Sequence, residues 1–139
     1  MLQARLQKRL RYLNLNSFKE YCDYLFKLEG IEAEFPELVD AVTTNTTEFF
    51  RESNHFDFLI NSILPQWFKT YGCERTLLLW SAGCSTGEEP YSLAMVLQDF
   101  AEKNPGFNFF VLATDINTKV LQKAVKAIYP EESALKIPW

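Results

Sequence analysis

Two glycines, Gly83 and Gly87, follow the apolar run Leu77-Leu78-Leu79-Trp80 and precede two acids, Glu88 and Glu89. An apolar run, a turn of small residues and the start of an amphipathic helix make a strand–loop–helix junction. In α/β proteins that junction is where nucleotide-like cofactors sit. Both glycines permit positive φ and a close approach of backbone to ligand, and N–H groups at the start of the helix are free to donate. A phosphate-binding loop would carry lysine where this one carries carboxylates. The loop therefore suits a ligand rich in hydroxyls and positive charge. Its spacing is not G-x-G-x-x-G, so the dinucleotide fingerprint fails, and a plain βα turn would read the same way.

Asp115 ends a second apolar run, Asn108 to Thr114. An acid at the carboxyl end of the neighbouring strand can accept hydrogen bonds from both hydroxyls of a ribose. Asp is also a favoured helix N-cap. Asn117 or Thr118 is available for that duty, which favours the ligand reading. Glu88 and Glu89 complement a helix dipole wherever they stand, or one of them faces an ammonium or sulfonium. Adjacent helical residues point about 100° apart, so the two do not converge on one bond as a glycosidase pair would.

Thr43-Thr44-Asn45-Thr46-Thr47-Glu48-Phe49-Phe50-Arg51-Glu52 is the other informative segment. Arg51 can grip a carboxylate bidentately, or simply pair with Glu48 on a solvated helix. Cys84 stands near a helix N-terminus, which lowers a thiol pKa, yet a small packing residue is the simpler reading. His55 is the only histidine, which removes Ser-His-Asp triads, Cys-His pairs and multi-histidine metal sites.

These residues need a scaffold. The 139 residues are 47% hydrophobic and 15% aromatic, enough for a core and too apolar for a disordered chain. The formal net charge of -4 argues against general nucleic-acid binding. The charge is uneven: Arg5, Lys8, Arg9, Arg11 and Lys19 precede the first acid, Glu20. Three cysteines without metal-ligand spacing, and no visible signal peptide or membrane span, point to a reducing cytoplasm. Asn45-Thr46-Thr47 matches a glycosylation sequon that would be idle there.

Leu2, Leu6, Leu10 and Leu13 predict a first helix with basic residues between them. Phe18, Tyr21, Cys22, Leu25 and Leu28 predict a second, ended by Gly30. Phe35, Leu38, Val39 and Val42 predict a third, with Pro36 near its first turn. After the polar run Thr43 to Thr47, helical pattern resumes through Phe49, Phe50, Phe56, Phe58, Leu59 and Ile63, and Pro65 starts a short helix ending near Gly72. Thr76–Trp80 and Asn108–Thr114 read as strands, Glu89–Lys103 as a helix, and Asn117 or Thr118 caps another. Strand, helix, strand, helix with short links predicts a right-handed unit with parallel strands. The expected organisation is a helical N-terminal subdomain over 1–42, a linker with helices over 43–72 and a partial Rossmann-like cofactor domain over 73–139.

With both segments in hand, the chain closely resembles the CheR family of chemotaxis receptor glutamate methyltransferases. The matching residues are Thr43-Thr44-Asn45 through Thr47, Phe49-Phe50-Arg51-Glu52, Trp80-Ser81-Ala82, Ser85-Thr86-Gly87-Glu88-Glu89-Pro90-Tyr91-Ser92, and Ala113-Thr114-Asp115-Ile116-Asn117 with Val120-Leu121. The resemblance covers nearly the whole chain, and the Ser-Thr-Gly-Glu-Glu-Pro-Tyr-Ser block is highly specific. It implies the first βαβα half of a Rossmann-like domain binding S-adenosyl-L-methionine, with S-adenosyl-L-homocysteine as product, no metal, and methylation of glutamates on cytoplasmic helices of chemoreceptors. By motif match, Asn45, Thr47, Arg51, Glu89 and Asp115 correspond to the cofactor site, and Gly83 joins them as a cofactor-binding candidate from the loop. Asp115 would hold the ribose, Glu89 would face the methionyl amino end, and Arg51 would lie near the transferring methyl and the substrate carboxylate. Arg5, Lys8, Arg9 and Arg11 correspond to the surface that docks acidic methylation helices.

The family pattern continues past Trp139 with further strands, a later asparagine motif and a tyrosine near the methyl. The expectation is a fragment cut at both ends and inactive alone. A rival reading is a non-catalytic receptor- or cofactor-binding module; a weaker one is part of an NAD-type dehydrogenase, against which the loop sequence argues. Two parallel strands make a poor sheet alone, and open edges invite self-association.

Overall fold

Leucines at helical spacing produce the first helix, α1 (Leu2–Tyr12), in a computed structural model that describes residues 2–138, with the backbone alone at 28–30. The chain divides into two units. One comprises the residues up to Asn45 together with Ile116–Lys119, the other Thr46–Asp115 together with the residues from Val120 onward.

In the first unit α1 buries Leu10 and ends with Arg9 and Arg11 in its last turn, where cations complement the helix dipole. Helix α2 (Phe18–Leu25) is capped by Ser17, whose Oγ accepts the Glu20 N–H at 3.1 Å. The Glu20 carboxylate accepts the Asn16 N–H at 2.9 Å, a reciprocal arrangement of the capping-box kind. Helix α3 (Leu28–Val42) departs from expectation. Gly30 does not end α2, which stops at Leu25, and Pro36 lies inside α3 rather than near its first turn. Pro36 is exposed, so water can serve the carbonyl that its missing N–H leaves without a helix partner. Glu34, 1% exposed, ties α3 to the two earlier helices, accepting from Arg9 of α1 and Tyr21 of α2. Tertiary contact thus overrides weak local propensity. The side chain of Leu28, expected on the stripe of α2, lies outside the described residues.

In the second unit, helix does not resume at Phe49. Phe50 and Glu52 have φ of 53° and 57°, a left-handed geometry no helix continues. Helix α4 therefore begins at Ser53 (Ser53–Phe58). It passes through a π-turn (Leu59–Ile63) into α5 (Leu64–Tyr71). The π-turn falls just ahead of Pro65, whose ring disturbs a regular ladder. Gly72 closes α5 with positive φ.

Strands β1 (Thr76–Ala82) and β2 (Asn108–Thr114) pair in parallel, from Thr76 opposite Asn108 to Ala82 opposite Thr114. Helix α6 (Glu88–Lys103) connects them, and α7 (Thr118–Lys126) and the short α8 (Glu131–Ala134) follow. A helical N-terminal part and then a βαβα unit on parallel strands make a partial Rossmann-like α/β fold. The core of this second unit gathers Phe56, Leu59, Leu64, Leu77, Val96, Leu97 and Phe107. Phe107 meets Trp67, Phe68 and Phe100 edge to face. The other sheet face, carrying Leu78, Trp80, Phe110 and Leu112, is exposed. Among the described residues no helix is long and apolar enough to cross a membrane.

Candidate functional site

The loop from β1 to α6 is fixed by the end of β2. The Thr114 carbonyl accepts the N–H of Gly83 at 2.8 Å and of Cys84 at 2.9 Å. Asp115 Oδ2 accepts the N–H of Ser85 at 2.8 Å, and Gly87 N–H donates to the Cys84 carbonyl. These four N–H groups therefore serve the loop's own framework, where a phosphate cradle would aim them at a ligand. What the loop offers instead is carboxylates and open backbone.

The two glycines have different reasons. A Cβ at Gly83 (φ 83°) would meet nothing within 4 Å, which leaves room for a ligand beside the backbone. A Cβ at Gly87 (φ 102°) would stand 2.5 Å from Tyr129 Oη and 3.0 Å from Ala124 Cβ. Gly87 is required by packing. Ser85 also takes left-handed φ, 51°, and its bond to Asp115 helps hold it there.

Asp115 is half-exposed at the end of β2. It does not cap α7: Asn117 Oδ1 accepts the Lys119 N–H at 3.1 Å and takes that duty. Glu88 and Glu89 diverge as expected. Thr86 Oγ1 donates to Glu88, while buried Ser81 Oγ donates to Glu89 Oε1 at 2.6 Å. Glu89 is exposed, but Ser81 sits at 1% exposure, so a rigid strand residue orients it. Cys84 is buried, and burial, with Asp115 and Glu89 adding to it, pushes its thiol pKa up. This is the opposite of an activated nucleophile.

Arg51 is exposed and donates to the Thr46 carbonyl at 3.0 Å. Glu48 instead pairs with Lys136 at 3.4 Å. The two residues before Arg51 are both held. Phe50 N–H donates to Ser92 Oγ at 3.0 Å, and the Phe49 ring meets the Tyr129 ring edge on at 4.9 Å. Thr47, Arg51, Gly83, Glu89 and Asp115 all belong to the second unit. Asn45 belongs to the first, where its amide donates to Thr43 Oγ1.

Sequence reasoning missed three residues that hold this region: Ser81, Ser92 and Tyr129. Tyr129 Oη donates to the Thr86 carbonyl at 2.7 Å. Burial, with Glu88 adding to it, pushes its hydroxyl pKa up to about 12. Ser81 and Ser92 lie inside matched segments, Trp80-Ser81-Ala82 and Ser85 to Ser92, but nothing local marks either as a support, and Tyr129 lies in none.

The four cations of α1 divide. Arg5 donates to the carbonyls of Val42 and Thr43, both at 2.8 Å. Arg9 makes two bonds to Glu34, at 2.7 and 2.6 Å. Lys8 and Arg11 are exposed. A groove of about 530 Å³ in the same unit is lined by Arg5, Lys8, Arg9 and Lys119, with Glu37 and Asp40 opposing them. Among the described residues no His, Cys, Asp and Glu cluster could hold a metal ion.

Comparison with known proteins agrees with the geometry. Residues 45–139 match the family described as CheR methyltransferase, SAM binding domain, and residues 1–43 its all-alpha domain. A chemotaxis protein methyltransferase of Borreliella burgdorferi is 43% identical over 99% of this chain and 50% of its own length. A probable chemotaxis protein methyltransferase of Rhizobium etli is 37% identical over 98% of the chain and 50% of its own length. The Escherichia coli chemotaxis protein methyltransferase is 41% identical over 95% and 43%. The chain spans about half the length of the curated relatives it matches. On these matches and this loop, the chain belongs to the CheR methyltransferase family.

Proposed function

We propose that this chain forms the S-adenosylmethionine-binding part of a protein-glutamate O-methyltransferase acting on chemoreceptors. The observation that carries the reading is the pair of carboxylates anchored at one strand–loop junction, Asp115 through Ser85 of the loop and Glu89 through Ser81 at the end of β1. The residues fit such a cofactor. Asp115 offers acceptors to ribose hydroxyls, Gly83 leaves open backbone, and Glu89 presents negative charge to the methionyl ammonium. Thr47 and Arg51 line the same unit, and Asn45 is added on the family resemblance alone.

Bound S-adenosylmethionine supplies an electrophilic methyl on a sulfonium. A glutamate carboxylate is ionised at neutral pH, so it needs little help from a base. The chain's task is then alignment and exclusion of water. Arg51 would grip the acceptor carboxylate, because a guanidinium holds a carboxylate in a fixed plane. Lys8 and Arg11, with Arg5 and Arg9 beside them, would attract the acidic methylation helices of a receptor in the cytoplasm.

The test is incubation with methyl-labelled cofactor and receptor fragments, beside calorimetry with S-adenosylhomocysteine. Labelled, base-labile ester on glutamate supports the enzyme. Cofactor binding without transfer supports the alternative, a non-catalytic cofactor- or receptor-binding module. Neither binding nor transfer contradicts both. Self-association through the open two-stranded sheet is a further part of the reading; a monomeric mass at high concentration in sedimentation would contradict it.

A further inference from the structure

We propose that Ser92 is a positioning residue that sets the Arg51 segment against the first turn of α6, and so aligns the methionyl end of the cofactor site. The proposal rests on the cofactor reading above. Ser92 is 0% exposed. Its hydroxyl accepts the Phe50 N–H at 3.0 Å and donates to the Glu88 carbonyl at 2.7 Å. A hydroxyl can do both at once.

The two groups it joins are telling. Phe50 immediately precedes Arg51, and Glu88 immediately precedes Glu89. One buried oxygen therefore fixes the backbone next to both residues assigned to the charged end of the cofactor. Phe50 is held at φ 53°, a conformation a non-glycine residue keeps only when its surroundings enforce it. The bond from Ser92 is one such constraint. Arg51 itself is exposed and donates to Thr46 within its own segment, a bond that does not tie the segment to α6. A serine bonding the carbonyl one turn back is common in helices. The added acceptance of a distant N–H, 42 positions away in sequence, distinguishes Ser92 from that ordinary case.

The effect should be confined to one end of the site. Asp115 and Ser85 make their contact without Ser92, so the adenosine end should not depend on it. The chain is titrated with S-adenosylhomocysteine by calorimetry and with adenosine by NMR, as wild type, Ser92→Ala and Ser92→Cys. Cysteine keeps the shape but is a weak donor and acceptor. Amide exchange at Phe50 and Arg51 is followed in parallel.

The expected result is S-adenosylhomocysteine affinity lowered roughly tenfold in both variants, the scale of losing a buried hydrogen bond. Adenosine affinity stays within about twofold, and exchange speeds up at Phe50 and Arg51 alone. Wild-type binding with Ser92→Cys unchanged would overturn the positioning role and leave the cofactor reading intact. Equal loss for both ligands would overturn it too, as general collapse. A wild type that binds neither ligand would overturn the cofactor reading and this proposal with it.

Discussion

Asp115 Oδ2 accepts the backbone N–H of Ser85 at 2.8 Å, joining the end of β2 to the loop that leaves β1. Through this bond the acid proposed to meet a ligand also shapes the loop beside it. Ser85 holds a left-handed φ of 51°, and a charged acceptor is well suited to keep it there. The loop's conformation and the carboxylate proposed to hold the ribose are therefore one structural element. Substituting Asp115 tests both at once unless the replacements are chosen to separate them.

Asp115→Asn keeps an oxygen for the Ser85 N–H but loses the charge, while Asp115→Ala loses both. S-adenosylhomocysteine affinity should fall about tenfold in the first and about a hundredfold in the second, on the scale of charge-assisted hydrogen bonds. Calorimetry measures this. Equal affinity in all three proteins would contradict the ribose assignment.

Gly83 and Gly87 should respond differently to alanine. Gly87→Ala drives a Cβ into Tyr129 and Ala124 and should cost about 3 kcal/mol in folding stability. Gly83→Ala meets only backbone strain and should cost about 1 kcal/mol. It should still weaken cofactor binding, because the added methyl occupies the open side of the loop. Paired urea melts and binding titrations check both halves.

Glu34 governs the acid limb of the first unit. Burial alone would raise its pKa, but hydrogen bonds from Arg9 and Tyr21 overcome that and hold it below its ordinary value of 4.5. A depressed carboxyl contributes stability that is complete above the unfolded value and is lost as pH falls through the folded one. Acid melting, followed by circular dichroism, should therefore steepen below about pH 4.5 and flatten in Glu34→Gln. Arg9→Ala leaves Glu34 buried with Tyr21 but without its cation, and should cost about 3 kcal/mol at pH 7.

Lys8 and Arg11 are the cations of α1 to probe for docking. Lys8→Glu with Arg11→Glu should weaken association with an acidic receptor helix about tenfold at low salt and leave the melting temperature unchanged. The difference should shrink at high ionic strength. A surface-binding assay across a salt series decides it; salt-independent affinity would remove electrostatic docking.

The βαβα unit was legible in the sequence because its punctuation is strong. Gly83, Gly87 and Asn104-Pro105-Gly106 bound the apolar runs, and of the two expected caps, Asn117 and Thr118, it is Asn117 whose side chain caps α7. The helical part was less legible. Gly30 and Pro36 look like boundaries, but Glu34, buried between them and bonded to two other helices, keeps α3 continuous. The turn at Phe49–Glu52 looks helical in sequence because nothing local announces positive φ at Phe50. In the proposed site, Glu89 and Asp115 are candidates from residue type and place alone. Their supports are not, since Ser92 reaches Phe50 and Tyr129 reaches Thr86 only through the fold.

The most direct test of a cofactor site on this loop is an NMR titration of the isotope-labelled chain with S-adenosylhomocysteine. The account predicts saturable shifts concentrated at Gly83–Glu89, Asp115 and Arg51, with NAD producing none. No saturable shifts, or shifts confined to the first forty residues, would contradict it.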